Sequence, residues 1–351
     1  MHSIWIKIEC IERDEYIYFG KLGNRLVIRG FIREALVKTW SSDHSLTRLL
    51  KLLLVATGIL LVAFFTIYYY NHYSYLGDST PLDQGLRALK QHVLAEPGDP
   101  AARLQLASLY FERGEYARAI EQGESVLAAN PEAQDALYLV GLAHIQAGSP
   151  QKGIPLLTRF SDLRQESAMW RTDLHLEEAL YYLGAAYIDV GEFDPARQAL
   201  SLALEIDHTD ADAIFLLGQV YAGLGQIESA AEQYLAALSY VPDFEAVYLA
   251  LFHLDSISGQ AGRLAYAQAG LAYCHHDYST AVEKLVLALE AAPQFTPAYV
   301  LLGLVYEGQG ELGQARQTLE MALALDPENF LARHVLGRLA ADRGAAAGSE
   351  P

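Results

Sequence analysis

Residues 177–210 read EEALYYLGAAYIDVGEFDPARQALSLALEIDHTD, and residues 211–244 read ADAIFLLGQVYAGLGQIESAAEQYLAALSYVPDF. Laid one above the other without a gap, the two segments share their landmarks: Leu183 with Leu217, Gly184 with Gly218, Tyr187 with Tyr221. Twelve residues after each glycine stands an alanine, Ala196 or Ala230, and seven residues later another, Ala203 or Ala237. Apolar residues at helical spacing on both sides of Gly191 and Gly225 make each segment a pair of helices, the glycine supplying the positive φ at which the first helix stops. Gly184 and Gly218 fall inside the first helix, where a missing side chain lets two backbones approach. A repeat at a fixed period settles the fold class before any single residue does. One helix pair cannot bury its apolar face alone and must stack on copies of itself.

The pattern extends in both directions. Tyr299, Leu302, Gly303 and Tyr306 restate it, followed by Ala315 and Ala322, while Pro131, Pro242, Pro293 and Pro327 stand where a second helix must stop. The crossing residue is spaced 34 from Ala107 to Gly141, 43 from Gly141 to Gly184, 34 from Gly184 to Gly218 and 85 from Gly218 to Gly303. The value of 43 places an insertion near 161–176, around Trp170, and the value of 85 places an extra, unpaired helix at 245–261. These residues resemble the tetratricopeptide repeat (TPR) family over 99–343. The resemblance implies an all-α helix-turn-helix solenoid of about six units. Units one to four occupy 99–244, as 100–133, 134–176, 177–210 and 211–244; units five and six occupy 262–329, as 262–295 and 296–329. A linker and capping helix at 73–98 and a closing helix and tail at 330–351 flank them, and the odd helix is expected to set the two blocks at an angle.

Ahead of the repeats, residues 52–70 read LLLVATGILLVAFFTIYYY without a charge. At 1.5 Å per residue such a helix covers roughly 29 Å, the thickness of a hydrocarbon core. Arg48 and Lys51 flank one end, and Tyr68, Tyr69, Tyr70, Tyr73 and Tyr75 form an aromatic belt at the other. Residues 1–51 carry nine Lys or Arg, whereas the twenty residues after Tyr70 carry only Arg87 and Lys90. The expected layout is a cytoplasmic segment at 1–47 with short strands, a transmembrane signal anchor in the lipid bilayer at 48–72, and a repeat domain outside the cytoplasm, periplasmic or extracellular.

Composition narrows the function. Of 351 residues, 52% are apolar, which excludes a disordered chain, and 43 acids against 25 bases give a net charge of −18. The first 51 residues are net basic, so the acidity belongs to the repeat side, and nucleic acid is not an expected partner. Cys10 and Cys274 are too few for a disulfide framework. The chain holds no nucleotide loop, nucleophile elbow, HExxH or CxxC, so neither catalysis nor a cofactor is expected. Cys274, His275 and His276 are weak metal candidates, because adjacent residues at a helix end point in different directions.

In the TPR family the first helices line a concave groove. The resemblance therefore implies candidates at the fifth place of units one to five, Leu104, Tyr138, Tyr181, Phe215 and Tyr266, with Val300 at that place in unit six, and at the twelfth place, Phe111, Ile145, Ile188 and Tyr273. Acids recur at the second place, as Asp135, Glu178 and Asp212. An aromatic ladder with an acidic margin suits a protein or peptide ligand carrying apolar anchors and basic residues. The alternative is that the rings pack between neighbouring first helices and the acids keep a solvated face. The layout resembles bacterial envelope TPR proteins, which implies a scaffold for assembly or quality control of an envelope complex. The stretch at 81–120, PLDQGLRALKQHVLAEPGDPAARLQLASLYFERGEYARAI, is also similar in pattern to the TPR segment of cytochrome c biogenesis factors, which implies an apocytochrome ligand. A cytoplasmic-facing adaptor and a metal-dependent regulator stand as further alternatives.

Overall fold

The computed structural model describes residues 53–68 and 81–347. The strands expected in the first forty residues, the two ends of the apolar run, the linker up to residue 80 and the last four residues lie outside them. By contact the chain falls into two compact units, Met1–Gln84 and Gly85–Pro351. Helix α1 covers 53–68 and exposes most of its apolar side chains, Leu54 by 66% and Leu60 by 68%. Among the described residues no helix is long and apolar enough to cross a membrane.

The second unit is all helix. After α2 (Pro81–Ala95) come four pairs: α3 (Pro100–Glu112) with α4 (Tyr116–Ala129), α5 (Gln134–Gln146) with α6 (Pro150–Gln165), α7 (Leu174–Asp189) with α8 (Phe193–Ile206), and α9 (Ala211–Gly223) with α10 (Ile227–Tyr240). Helix α11 (Glu245–Ser258) has no partner of its own. Two more pairs come next, α12 (Ala261–Cys274) with α13 (Tyr278–Ala291) and α14 (Thr296–Gly308) with α15 (Leu312–Leu325), and α16 (Phe330–Ala347) closes the array.

Four of the six pairs are held by a glycine set against a large residue sixteen places on. Gly141 faces Leu157, Gly184 faces Leu200, Gly218 faces Tyr234 and Gly303 faces Leu319; a Cβ at any of the four glycines would sit 2.5–2.7 Å from that side chain. Leu157, Leu200 and Leu319 are wholly buried, and each such burial contributes about 2 kcal/mol. The first helices begin where the sequence offers a cap: Asp99, Asp173 and Asp210 accept backbone N–H groups at the starts of α3, α7 and α9. In five units the first helix ends on a glycine with φ between 71° and 79°, whereas unit five has His276 at φ 58°. The insertion in unit two lengthens α6 to 16 residues and adds a 3₁₀ turn, Trp170–Thr172. Arg164 Nε donates to Asp173 Oδ2 at 2.6 Å, tying the end of α6 to the cap of α7.

The stacking changes phase at α11. First helices touch the first helices of neighbouring units, α3 with α5, α5 with α7, α7 with α9, and α9 touches α11 in the same way. Yet α12, not α11, is the first helix of the rear block, touching α14 as α14 touches α16. The shift is packed and bonded. The Tyr248 ring of α11 lies against Gly270 of α12, and its hydroxyl donates to the Pro242 carbonyl at 2.9 Å. Asp255, wholly buried, accepts from Arg263 Nε at 3.0 Å and Nη2 at 2.8 Å, while Arg263 Nη1 reaches Glu228 at 2.5 Å. One guanidinium therefore joins α10, α11 and α12. The closing helix α16 also touches α10. Among the described residues every buried side-chain nitrogen and oxygen has a hydrogen-bond partner.

Candidate partner-binding face

The layer of first helices carries the rings expected there, and the structure sorts them. Tyr138 on α5 packs its ring 5.2 Å from Phe160 and 5.9 Å from His175. Its hydroxyl donates to Glu178 of the next unit's first helix. Burial and the Glu178 carboxylate raise the Tyr138 phenol far above its ordinary value, so it stays a donor. Phe215 on α9 lies 5.7 Å from Tyr234 and 5.3 Å from Phe244. Tyr181 on α7 meets Tyr182 edge-on at 5.3 Å, and burial followed by Asp212 and Asp210 pushes its phenol up. All three rings are half-buried. Leu104, Phe111, Ile145, Ile188 and Tyr273 are also half-buried.

Tyr266 departs from the expectation. It is only 3% exposed, held between Tyr248 at 5.8 Å and Phe295 at 5.2 Å, and belongs to the core. The phase shift is the reason: α11 lies over the side of α12 on which the fifth place falls.

The acids gather more closely than the second-place pattern foretold. Asp135, Glu178 and Asp212 are exposed. Around the last two stand Glu177, Asp207 and Asp210, which no repeat position marks as site residues. Asp210 Oδ1 caps α9 through the N–H groups of Asp212 and Ala213 at 2.9 and 3.2 Å. Burial, a hydrogen bond with Asp210 and the charges of Asp210, Asp207 and Glu178 push the Glu177 carboxyl up to about 7. Bonds from the Thr209 hydroxyl and N–H hold Asp207 below its usual range. Among the described residues no lysine or arginine pairs with Glu177, Glu178, Asp207, Asp210 or Asp212. Beside this patch, where the insertion meets α7, a groove of about 520 Å³ is lined by Gln134, Leu163, Arg164, Met169, Asp173 and His175 among others. His175 makes it continuous with the Tyr138 ring.

The weak metal candidates are not brought together. The Cys274 thiol donates to the Asp243 carbonyl at 3.4 Å, His275 Nε2 pairs with Glu245 at 3.3 Å, and His276 Nδ1 meets the Tyr278 hydroxyl at 3.3 Å. Burial, then Glu245 and Asp243, push the thiol up to about 11, far from the thiolate a metal requires.

Three tetratricopeptide repeat profiles match residues 78–167, 211–244 and 272–339. Among curated proteins the chain is 39% identical over 61 residues to anaphase-promoting complex subunit 3 of Dictyostelium discoideum, covering 17% of this chain and 6% of that one. It is 24% identical over 274 residues to the protein CTR9 homolog of Arabidopsis thaliana, covering 75% and 23%. The chain thus spans less than a quarter of the length of these relatives. Among solved structures, the crystal structure of MamA protein aligns with 65% of this chain and 92% of its own at 23% identity and a TM-score of 0.37. With a 34-residue period and matches to one repeat over more than half of its length, the chain belongs to the tetratricopeptide repeat family, a scaffold for protein–protein interaction.

Proposed function

We propose that the chain is a membrane-tethered scaffold whose first-helix face, from α5 to α9, holds a protein segment carrying apolar anchors and basic residues. The observation that carries this reading is the row of half-buried rings at Tyr138, Tyr181 and Phe215 beside carboxylates that no lysine or arginine among the described residues neutralises. A lysine or arginine of a ligand supplies the missing partner, and it displaces the proton that Glu177 retains near neutral pH. The tether is the run at 52–70, and the charge bias around it puts the amino terminus in the cytoplasm and the repeats outside, which suits assembly or quality control of an envelope complex.

The test is a crosslinking capture from membranes with three chains: wild type, a Tyr138→Ala, Tyr181→Ala, Phe215→Ala variant, and a Glu178→Gln, Asp212→Asn variant, each checked for helicity. Partners lost from both folded variants support the reading. An unchanged set moves the function off this face. Resistance to alkaline carbonate extraction, with repeats digested only after the outer barrier is opened, tests the tether and its orientation.

A further inference from the structure

At the junction of α2 with the first repeat three ligand-bearing side chains converge. His92 and Glu96 stand one helical turn apart where α2 ends, and Asp99 caps α3. One ligand atom from each lies within 4.8 Å of the others, and His92 Nε2 is 3.0 Å from Asp99 Oδ2. The connecting turn is fixed by its own bonds: Glu96 N–H donates to His92 O at 2.8 Å, Asp99 N–H to Glu96 O at 3.2 Å, and Arg103 Nε to Pro97 O at 2.7 Å. The two oxygens of Asp99 have separate partners. Oδ1 accepts the N–H groups of Ala101 and Ala102 at 2.9 and 3.2 Å, which leaves Oδ2 aimed at His92.

We propose that His92, Glu96 and Asp99 form a divalent transition-metal site, with Zn²⁺ the ion of best fit. One imidazole and two carboxylates are a borderline donor set; the imidazole disfavours Ca²⁺ and Mg²⁺, and the lack of thiolate disfavours Cu⁺. Tetrahedral Zn²⁺ with ligands at about 2.0–2.2 Å sets them roughly 3.3 Å apart, a spacing that the two exposed side chains reach by small rotations about Asp99. The fourth position is left to water or to a donor from a partner. Bound metal would fasten the capping helix to the first unit.

Titration calorimetry of the untagged full chain in detergent, with ZnCl₂ as the only added ligand, tests this. The expected result is saturation at one ion per chain, weakened at least about tenfold by His92→Ala and by Glu96→Gln, and unaltered when His275 and His276 are both changed to Ala. Glu96 makes no cap bond, so Glu96→Gln separates loss of a ligand from loss of fold. Absence of one-to-one binding, or binding indifferent to both substitutions, overturns the site and leaves His92 and Asp99 as an ordinary hydrogen-bonded pair.

Discussion

The α7–α9 junction and the α10–α12 junction are built from the same helix plan and dispose of charge in opposite ways. From residue 174 to residue 258 the sequence has fourteen acids and Arg197 as the only Lys or Arg. Among the described residues the carboxylates at the α7–α9 junction, Glu177, Glu178, Asp207, Asp210 and Asp212, pair with no lysine or arginine. At the α10–α12 junction and at the closing helix, by contrast, acids have cations: Arg263 of α12 holds Asp255 of α11 and Glu228 of α10, and Arg338 of α16 holds Glu307 through two bonds at 2.9 and 2.7 Å. The rings differ in the same sense. At the fifth place Tyr138, Tyr181 and Phe215 are half-open, whereas Tyr266 and Val300 are 3% and 6% exposed. Units of one plan thus carry uncompensated carboxylates in one place and paired ones in another.

That contrast can be tested at one equivalent position. Tyr266→Ala empties a core site and is expected to cost about 4 kcal/mol, against less than half of that for Tyr181→Ala, read from denaturant unfolding by circular dichroism. Equal costs would mean that the front ring is packing alone. Next in size, Asp255→Ala leaves a largely buried guanidinium without its inner partner and should cost about 3 kcal/mol, while Glu228→Ala, at the exposed end of the same network, should cost less than about 1 kcal/mol. If the two substitutions are equivalent, the phase shift is not pinned at Asp255.

Smaller effects separate the two blocks further. His276→Gly relieves a side chain at φ 58° and should stabilise the rear block by about 1 kcal/mol, whereas Gly191→Ala in the front block should lose a similar amount, both visible as shifts in the unfolding midpoint. A pH dependence is expected as well. Because the folded Glu177 carboxyl is raised from 4.5 to about 7, the folded chain binds more protons there than the unfolded one. Its contribution is complete below about pH 4.5 and is lost as pH rises through 7. Glu177→Gln should flatten that fall, and a variant with the wild-type profile would remove the shared-proton account of the acidic patch.

Periodicity is the source of nearly everything legible in the sequence. Gly184 against Leu200 and Gly303 against Leu319 are fixed by a constant offset of sixteen, and Gly114 or Gly191 marks a turn because few other residues reach its φ. The odd helix was visible as a spacing of 85. The fate of Tyr266 was not, since its register within unit five matches that of Tyr181 and only the packing of α11 on α12 buries it. Glu177 and Asp210 escaped notice for a related reason: they are the first and last places of one 34-residue unit, far apart in sequence and adjacent where the next unit begins. At the other extreme Cys274, His275 and His276 drew attention by being contiguous, and contiguity at a helix end turned each toward a different neighbour. His92 and Glu96, at the spacing of one helical turn, were the better pattern.

The lone helix α11 makes the array a matter of parity. Adding whole pairs to a two-layer stack lengthens it and leaves every helix in its layer; adding one helix makes the layers trade roles beyond that point. By this rule α12 is a second helix when counted from the front and a first helix when counted from the rear. The row of first helices that starts in the front block therefore ends at α11 though the chain runs on, and its length is set by an odd count and not by the number of repeats.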